Sequence, residues 1–333
     1  PGEHRSPSGA SPEHDAGMLR VVPRTCVAVA APSAGHGTVQ LDFKGAFMGI
    51  TVITDSASSL APEDLERLGI KVVPIYVIED GVSTPETAID LPALHGRIAA
   101  NTLGLTTSQS SPDEFSRAYV EAIGRGDDVV GVFISAKLSG TFQSAELGRR
   151  LALDKHPAAR IVLVDSESNS MQEGFAVLAA AECAAGGGDL ELCEAAARAS
   201  IVRSRYLFAP KSLEHLARGG RISNAAALLG SVLRIAPVLT AAAGTTGIAA
   251  VVRSRAQALR KMAALMRADI ERCGLRRVAV QAVADFEDAR RFAHDVIAPI
   301  AAMPVPVTPV GAAVSIHVGP AIGLAYETID PLR

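Results

Sequence analysis

Residues 129–145 read VVGVFISAKLSGTFQSA, and this stretch decides how the chain folds. Its first part, residues 129–134, is an apolar run rich in β-branched side chains and too short for a helix, which is typical of a buried strand. Residues 146–151 then show helical spacing. A buried strand that leads through a short polar loop into a helix predicts a βαβ architecture.

The loop between this strand and this helix contains Ser139, Gly140 and Thr141. Backbone N–H groups at the start of a helix have no partner within the helix, and the helix dipole favours an anion there. The loop therefore predicts an anion-binding site. A second interpretation stays open from this segment alone, in which Ser139 only caps the helix and Gly140 only eases the turn.

Composition argues against several classes of protein. The 333 residues are enough for two domains, and 48% of them are hydrophobic, so the chain can bury a sizeable core. The net charge of -3 argues against a nucleic-acid partner, because phosphate binding needs an excess of clustered cations. The aromatic content of 4%, without tryptophan, also disfavours surfaces on which bases stack.

The cysteines and the apolar runs indicate a cytoplasmic protein without integral membrane association. No apolar run is long enough to span a bilayer, and the N-terminal residues lack the basic patch and apolar core of a signal peptide. The cysteines show no C-x-x-C pair and no zinc-site spacing, so we interpret them as free thiols of a reducing cytosol and expect neither metal nor cofactor. They are Cys26, Cys183, Cys193 and Cys273.

The pattern divides the chain into three parts. Residues 1–48 are rich in turn formers and predict a disordered or poorly ordered extension. Residues 49–204 alternate strands with helices, which predicts an α/β lobe with a mostly parallel sheet covered on both faces. Its strands are predicted at 50–54, 71–77, 129–134 and 161–164, and one of its helices begins at the capping box Ser111-Pro112-Asp113-Glu114.

The third part, residues 205–333, predicts a smaller α+β lobe with antiparallel strand pairs. A turn at Gly244 predicts a hairpin over 235–252. The apolar residues 314–317 predict a short strand that ends at His317. Residues 223–233 predict a helix directly after the sequence Gly219-Gly220-Arg221.

Familiar catalytic and nucleotide-binding motifs are absent from the sequence. We find no G-x-x-x-x-G-K-[ST], no G-x-G-x-x-G after a strand and no H-E-x-x-H, and Lys137 replaces the first glycine that a serine-hydrolase elbow would need around Ser139. What remains is a set of loops that carry hydroxyls, glycines and single charged side chains.

Four of these loop residues together suit a carboxylate. Ligands of open parallel sheets lie beyond the carboxyl ends of the strands, so we expect Thr107 and Ser139 to converge there. Two neutral hydroxyls, the guanidinium of Arg221 and the imidazole of His317 suit a carboxylate better than a triphosphate. Each also has an ordinary interpretation: Thr107 as a turn residue, Arg221 as a surface arginine and His317 as a structural histidine.

Six motifs, taken in order, resemble the DegV family of bacterial fatty-acid-binding proteins. They are Thr54-Asp55-Ser56, Thr107-Ser108-Gln109, Ser139-Gly140-Thr141, Val164-Asp165-Ser166, Gly219-Gly220-Arg221-Ile222-Ser223 and His317-Val318-Gly319-Pro320. The resemblance implies a two-lobed α/β fold with one long-chain fatty acid buried between the lobes. It further implies that Thr107 and Ser139 hold the carboxylate, and that Arg221, His317, Gly140 and Thr141 lie near the head group.

The resemblance also implies a biological role. Such proteins are similar to the acyl-carrying subunit of a bacterial fatty acid kinase system, which presents the carboxylate to a separate kinase for phospholipid synthesis. The chain would then be a carrier and not an enzyme, with the fatty acid as its ligand and a kinase as its partner. Arg253 and Arg255 are candidates for the partner surface, although a solvated start of a helix explains the two arginines equally simply. Ser110, Gln172, Val318 and Ala321 depart from the family pattern and bear on chain-length preference and kinase pairing.

Two other functions remain open at this point. The same loops could serve an enzyme that acts on a small carboxylated or phosphorylated substrate, with His317 as the acid or base. Alternatively, the chain could be a regulator whose lipid occupancy controls another protein.

Overall fold

The computed structural model describes residues 49–100, 104–228 and 235–332. The expected extension over 1–48 therefore lies outside the described residues, and so does the second half of the helix expected over 223–233. The described residues form one compact unit, and the division expected at residue 204 stays a prediction.

The elements are as follows in chain order. The strands are β1 (Ile50–Asp55), β2 (Lys71–Val73), β3 (Tyr76–Glu79), β4 (Val82–Pro85), β5 (Thr106–Ser108), β6 (Asp128–Phe133), β7 (Ile161–Asp165), β8 (Ser204–Pro210), β9 (Ala236–Ala242), β10 (Thr245–Val252), β11 (Arg277–Val283), β12 (Val307–Pro309) and β13 (Ala321–Glu327). The helices are α1 (Pro62–Leu68), α2 (Leu91–Ala99), α3 (Pro112–Gly124), α4 (Thr141–Lys155), α5 (Ser170–Ala185), α6 (Leu190–Arg203), α7 (Glu214–Arg218), α8 (Arg255–Cys273), α9 (Phe286–Arg291), α10 (Ala298–Ala301) and α11 (Ala312–Val318), with π-helical turns over Phe292–Ile297 between α9 and α10.

The first sheet is parallel, with strand order β2-β1-β6-β7. Its central strand β6 is buried along its whole length. Val129 and Phe133 pack with residues of α3 and α4, whereas Val130 and Val132 pack with residues of α5 and α6. Since successive side chains of a strand point to opposite faces, helices cover both faces of this sheet, as predicted.

The second sheet has the strand order β10-β9-β8-β13-β11-β12 and is antiparallel apart from the β11–β12 pair. Leu207 on β8 points to the face of this sheet that α8 and the π-helical turns cover. Its neighbours Tyr206 and Phe208 point to the other face and share a core with Phe175 of α5. Helix α5 therefore lies between the two sheets, and one core joins them.

The strand expected over 71–77 is wrong as a single element. Lys71–Val73 joins the first sheet, but Tyr76–Glu79 pairs antiparallel with β4 and β5 in a third sheet of order β4-β3-β5. The break falls at Pro74, which has no backbone N–H to continue a ladder.

The strand expected over 314–317 is also wrong, because these residues lie in helix α11. A short buried run of apolar residues does not distinguish a strand from a helix by its periodicity. The helix ends at Gly319, whose φ of 71° is a left-handed conformation that favours glycine. His317 therefore lies in the last turn of a helix and not at the end of a strand.

The hairpin expected around Gly244 is confirmed by the antiparallel pairing of β9 and β10. In the helix expected over 223–233, the described residues form a 3-10 turn, Ser223–Leu228. Within residues 49–100, 104–228 and 235–332, no helix has the length and apolar character needed to cross a bilayer.

Candidate functional site

A cavity lies beyond the carboxyl ends of β1 and β6, where they face β8 and α11. The cavity has a volume of about 690 Å³, which includes open solvent at its mouth. Apolar side chains form most of its lining, and we call them the apolar wall. They are Ala57, Ile75, Ile134, Leu138, Tyr206, Phe208, Leu216, Ala313, Val314 and Val318.

Four of the predicted site residues line this one cavity, and we call them the polar cluster: Thr107, Ser139, Arg221 and His317. Thr107 lies on β5, Ser139 precedes α4, Arg221 follows α7 and His317 belongs to α11. The structure thus brings together residues that are far apart in the sequence. Their role in holding a ligand stays a prediction.

Thr107 and His317 are joined by a hydrogen bond of 2.8 Å between Oγ1 and Nε2. Burial, and then the positive charge of Arg221, lower the pKa of His317 to about 4. The ring is therefore neutral at physiological pH, with one nitrogen donating and the other accepting. A Cβ at Gly219 would clash with Nδ1 of this ring, so only glycine allows the loop after α7 to approach it.

Ser139 has a local partner as well as a place in the cavity. Its Oγ lies 2.8 Å from Oγ1 of Thr141 and accepts the Thr141 N–H at 3.3 Å, at the first residue of α4. Both interpretations of Ser139 are therefore compatible with its geometry. Neither Gly140 nor the buried Thr141 lines the cavity. A Cβ at Gly140 would lie 3.0 Å from the Gln109 amide nitrogen, so the absence of one lets the two loops come close.

Arg221 is half-buried and is held by two backbone carbonyls. Its Nε donates to the carbonyl of Leu138 at 3.1 Å, and its Nη1 donates to the carbonyl of Gly219 at 2.6 Å. The first of these bonds fixes the guanidinium beside the residue that precedes Ser139. The charge that lowers the pKa of His317 is therefore held in place by the protein backbone.

Two buried carboxyl groups lie behind the apolar wall. Asp55 accepts the N–H groups of Ala57 and Ile134, each at 2.8 Å, so one side chain ties together the segments that follow β1 and β6. Burial raises the pKa of Asp55 to about 7, and it also raises the pKa of Glu86 to about 7. Sequence reasoning placed Asp55 in a motif without a role and did not single out Glu86.

The aromatic part of the wall was also missed. Tyr206 and Phe208 are stacked with ring centroids 5.7 Å apart, and both line the cavity. Nothing in the sequence distinguished a cavity wall from an ordinary core at these two positions. Within the described ranges, no group of three or more His, Cys, Asp or Glu side chains is placed to hold a metal ion.

Comparison with known proteins gives one family. The profile described as "Uncharacterised protein, DegV family" matches residues 49–328. A DegV domain-containing protein of Clostridium acetobutylicum is 33% identical over 288 residues, which are 86% of this chain and 100% of that protein.

Solved structures agree with the profile. A DegV family protein from Thermus thermophilus, described by its fatty acid binding, has a TM-score of 0.77 at 34% identity and covers 84% of this chain and 100% of its own. DegV from Bacillus subtilis, described as a fatty acid binding protein, has a TM-score of 0.75 at 27% identity, with coverage of 84% and 99%. These likenesses and the sheets described above confirm the expected α/β fold class.

Proposed function

The chain belongs to the DegV family, and we propose that it binds one long-chain fatty acid in this cavity. The observation that carries the proposal is a set of interactions that connects the four residues of the polar cluster, which lie together in a cavity with mostly apolar walls. Thr107 bonds to His317, Arg221 acts on His317 through its charge, and the Arg221 guanidinium bonds to the residue before Ser139. A fatty acid has the matching chemistry, because one end is a carboxylate and the rest is hydrocarbon.

The carboxylate would be held by the hydroxyls of Thr107 and Ser139. If Nε2 of His317 carries the ring proton, it donates to Thr107 Oγ1, and the Thr107 hydroxyl proton remains for the carboxylate. The positive charge of Arg221 offsets the cost of moving a carboxylate into a partly buried site. The polar cluster would therefore fix the orientation of the ligand.

The apolar wall would supply most of the affinity. Burial of about fourteen methylenes at roughly 0.8 kcal/mol each gives on the order of 11 kcal/mol before association and ordering costs are subtracted. Tyr206 and Phe208 contribute a stacked aromatic surface to this wall.

We further propose that the chain presents the bound acid to a separate fatty acid kinase in the cytoplasm, for phospholipid synthesis, and is itself not an enzyme. The low pKa of His317 supports a binding role, since a group with a pKa of about 4 is almost wholly deprotonated at neutral pH and makes a poor general acid there. The family resemblance supports the kinase partner. Nothing in the geometry favours the alternative of an enzyme with His317 as acid or base.

Extraction of the purified protein under denaturing conditions tests the fatty-acid proposal. Mass spectrometry of the extract should find about one fatty acid per chain, because the proposed site has a single polar cluster for one carboxylate. The Ser139→Ala, Thr107→Val double variant should retain less. A protein that is empty, and that also rejects added palmitate and oleate, would overturn the proposal.

The kinase step needs its own experiment. Palmitate-loaded protein would be incubated with ATP and a candidate kinase, and acyl phosphate would be trapped with hydroxylamine as the hydroxamate. Formation of hydroxamate only when both proteins are present supports presentation to a kinase. Hydroxamate formed by this chain alone would contradict the non-enzymatic role.

A further inference from the structure

Helix α11 carries the histidine of the polar cluster but has no N-terminal side-chain cap of its own. Its N-cap residue is Gly311, which has no side chain. The carboxylate of Glu86 supplies a cap from another part of the chain, because its Oε1 accepts the Ala313 N–H at 3.1 Å. The Gly311 N–H donates to Oγ of Ser59 at 3.1 Å. The start of α11 is therefore held by residues from elsewhere in the fold.

Glu86 also connects this helix to the apolar wall. Its Oε2 accepts a hydrogen bond of 2.5 Å from Oγ of Ser56, and the same Oγ accepts the N–H of the wall residue Ile75 at 2.9 Å. A Cβ at Gly311 would clash with Oε1 of Glu86. The carboxyl group thus fills a space that glycine leaves, and it is outside the residues that line the cavity.

The other end of α11 is held by a reciprocal contact with α7. The buried ring of His215 lies against Gly319, where a Cβ would clash with it. The ring of His317 lies in the same way against Gly219, just after α7. Each of the two glycines therefore makes room for a histidine of the opposite helix.

We propose that Glu86 and His215 are positioning residues for the polar cluster: they hold the two ends of α11 so that His317 meets Thr107. The helix has only seven residues, so its own hydrogen bonds give it little independent stability. If either end moves, the bond between His317 Nε2 and Thr107 Oγ1 lengthens, because β5, which carries Thr107, is anchored separately to β3. This proposal deepens the proposed function and rests on it for its consequence in binding.

Nuclear magnetic resonance of the ligand-free protein tests the positioning without any ligand. Spectra of protein with 15N-labelled histidine should show His317 as one neutral tautomer, with the signal identified by its loss in His317→Gln. In Glu86→Ala and in His215→Ala, we expect the His317 signals to shift and to report a mixture of tautomers. Glu86→Gln keeps an acceptor for the Ala313 N–H, and His215→Gln keeps a side chain of similar length beside Gly319, so both should restore much of the original spectrum.

Glu173→Gln is the matched control. Glu173 is fully buried and, like Glu86, has a pKa raised by burial, but the hydrogen bond of its side chain is with Thr54 and not with α11. This variant should leave the His317 signals in place. His317 signals unchanged in both alanine variants, or equally disturbed by Glu173→Gln, would overturn the positioning role.

Ligand discrimination gives the second readout. Palmitate and hexadecanol share the hydrocarbon chain and differ in the head group. In Glu86→Ala and His215→Ala, the loss of one well-placed hydrogen bond to the carboxylate should cut the preference for palmitate over hexadecanol by about fivefold. The affinity for hexadecanol should stay nearly unchanged. An equal loss for both ligands in Glu86→Ala and His215→Ala contradicts positioning and indicates a general structural role. If the unaltered protein binds neither ligand, the proposed function fails, while the His317 spectra still decide the positioning.

Discussion

The polar cluster and the apolar wall are two regions of one cavity, and they are built differently. Each member of the cluster is half-buried, and three of the four adjoin or lie in loops or short strands. The wall residues Phe208 and Leu216 are only 5% and 2% exposed and belong to the central core. The wall residues therefore contribute to fold stability as well as to the proposed acyl site, whereas we expect the cluster to change with little effect on the core.

A truncation in the wall should have the largest effect. Phe208→Ala removes a ring that packs in the core and stacks on Tyr206, so the free energy of unfolding should fall by about 3–5 kcal/mol. Urea unfolding of the ligand-free protein measures this. Val251→Ala, at a 45% exposed position of the same sheet, should change it by less than about 0.5 kcal/mol. Similar losses in the two variants would break the distinction between wall and surface.

Removal of the positive charge from the polar cluster should have the next largest effect, which we expect on ligand binding and not on stability. Arg221→Ala should weaken palmitate binding by about 1.5–3 kcal/mol, which lowers the affinity roughly 10- to 100-fold, because a charged hydrogen-bond donor is lost. The affinity for hexadecanol, which carries no charge, should fall much less. Calorimetric titration with both ligands checks this, and Arg253→Ala at an exposed position is the control. An equal loss for the acid and the alcohol would contradict a head-group role for Arg221.

The buried carboxyl group behind the wall should make stability depend on pH. Burial raises the pKa of Glu86 from its ordinary value of 4.5 to about 7, so the folded state binds this proton more tightly than the unfolded state. Glu86 therefore contributes stability that is present below about pH 4.5 and is lost as the pH rises through 7, at up to about 1.4 kcal/mol per pH unit.

Urea unfolding between pH 4.5 and 7 measures this contribution as the difference between the unaltered protein and Glu86→Gln. The unaltered protein should lose stability relative to the variant as the pH rises. The exposed Glu63→Gln variant controls for the loss of one negative charge. Parallel curves for the unaltered protein and Glu86→Gln would show that Glu86 does not titrate in this range.

The smallest expected effect belongs to a single hydroxyl. Thr107→Val keeps the shape of the side chain but removes its bond to His317, so palmitate affinity should fall by about 0.5–1.5 kcal/mol. Thr106→Val changes the exposed neighbour on the same strand and should leave the affinity unchanged. A loss in Thr106→Val as large as that in Thr107→Val would place the effect in the strand and not in the hydroxyl.

Local signals predicted much of the fold. The capping box at Ser111 and Glu114 is present with Pro112 at the start of α3, because every group involved lies within four residues. The buried strand predicted at 129–134 is β6, Asp128–Phe133. Thr107 and Ser139 line the same cavity, as expected, but Thr107 lies in strand β5 of the third sheet and not in a loop of the parallel sheet.

Failures came where distant residues decide the structure. Helix α11 was expected as a strand, because the carboxylate that caps it belongs to Glu86, which is far away in the sequence. The third sheet was missed for a different, local reason: Pro74 interrupts the strand expected over 71–77, and the partners of Tyr76–Glu79 lie in β4 and β5. The positions of His215 and Gly319 depend on each other through space, and no local pattern in either segment indicates this.

The most direct test of the account is a crystal structure of the protein with palmitate bound. We expect density for one acyl chain along the apolar wall, next to Phe208, with the carboxylate within hydrogen-bond distance of Thr107 Oγ1 and Ser139 Oγ. Palmitate bound outside this cavity, or bound inside it with the carboxylate turned away from Thr107 and Ser139, would contradict the account.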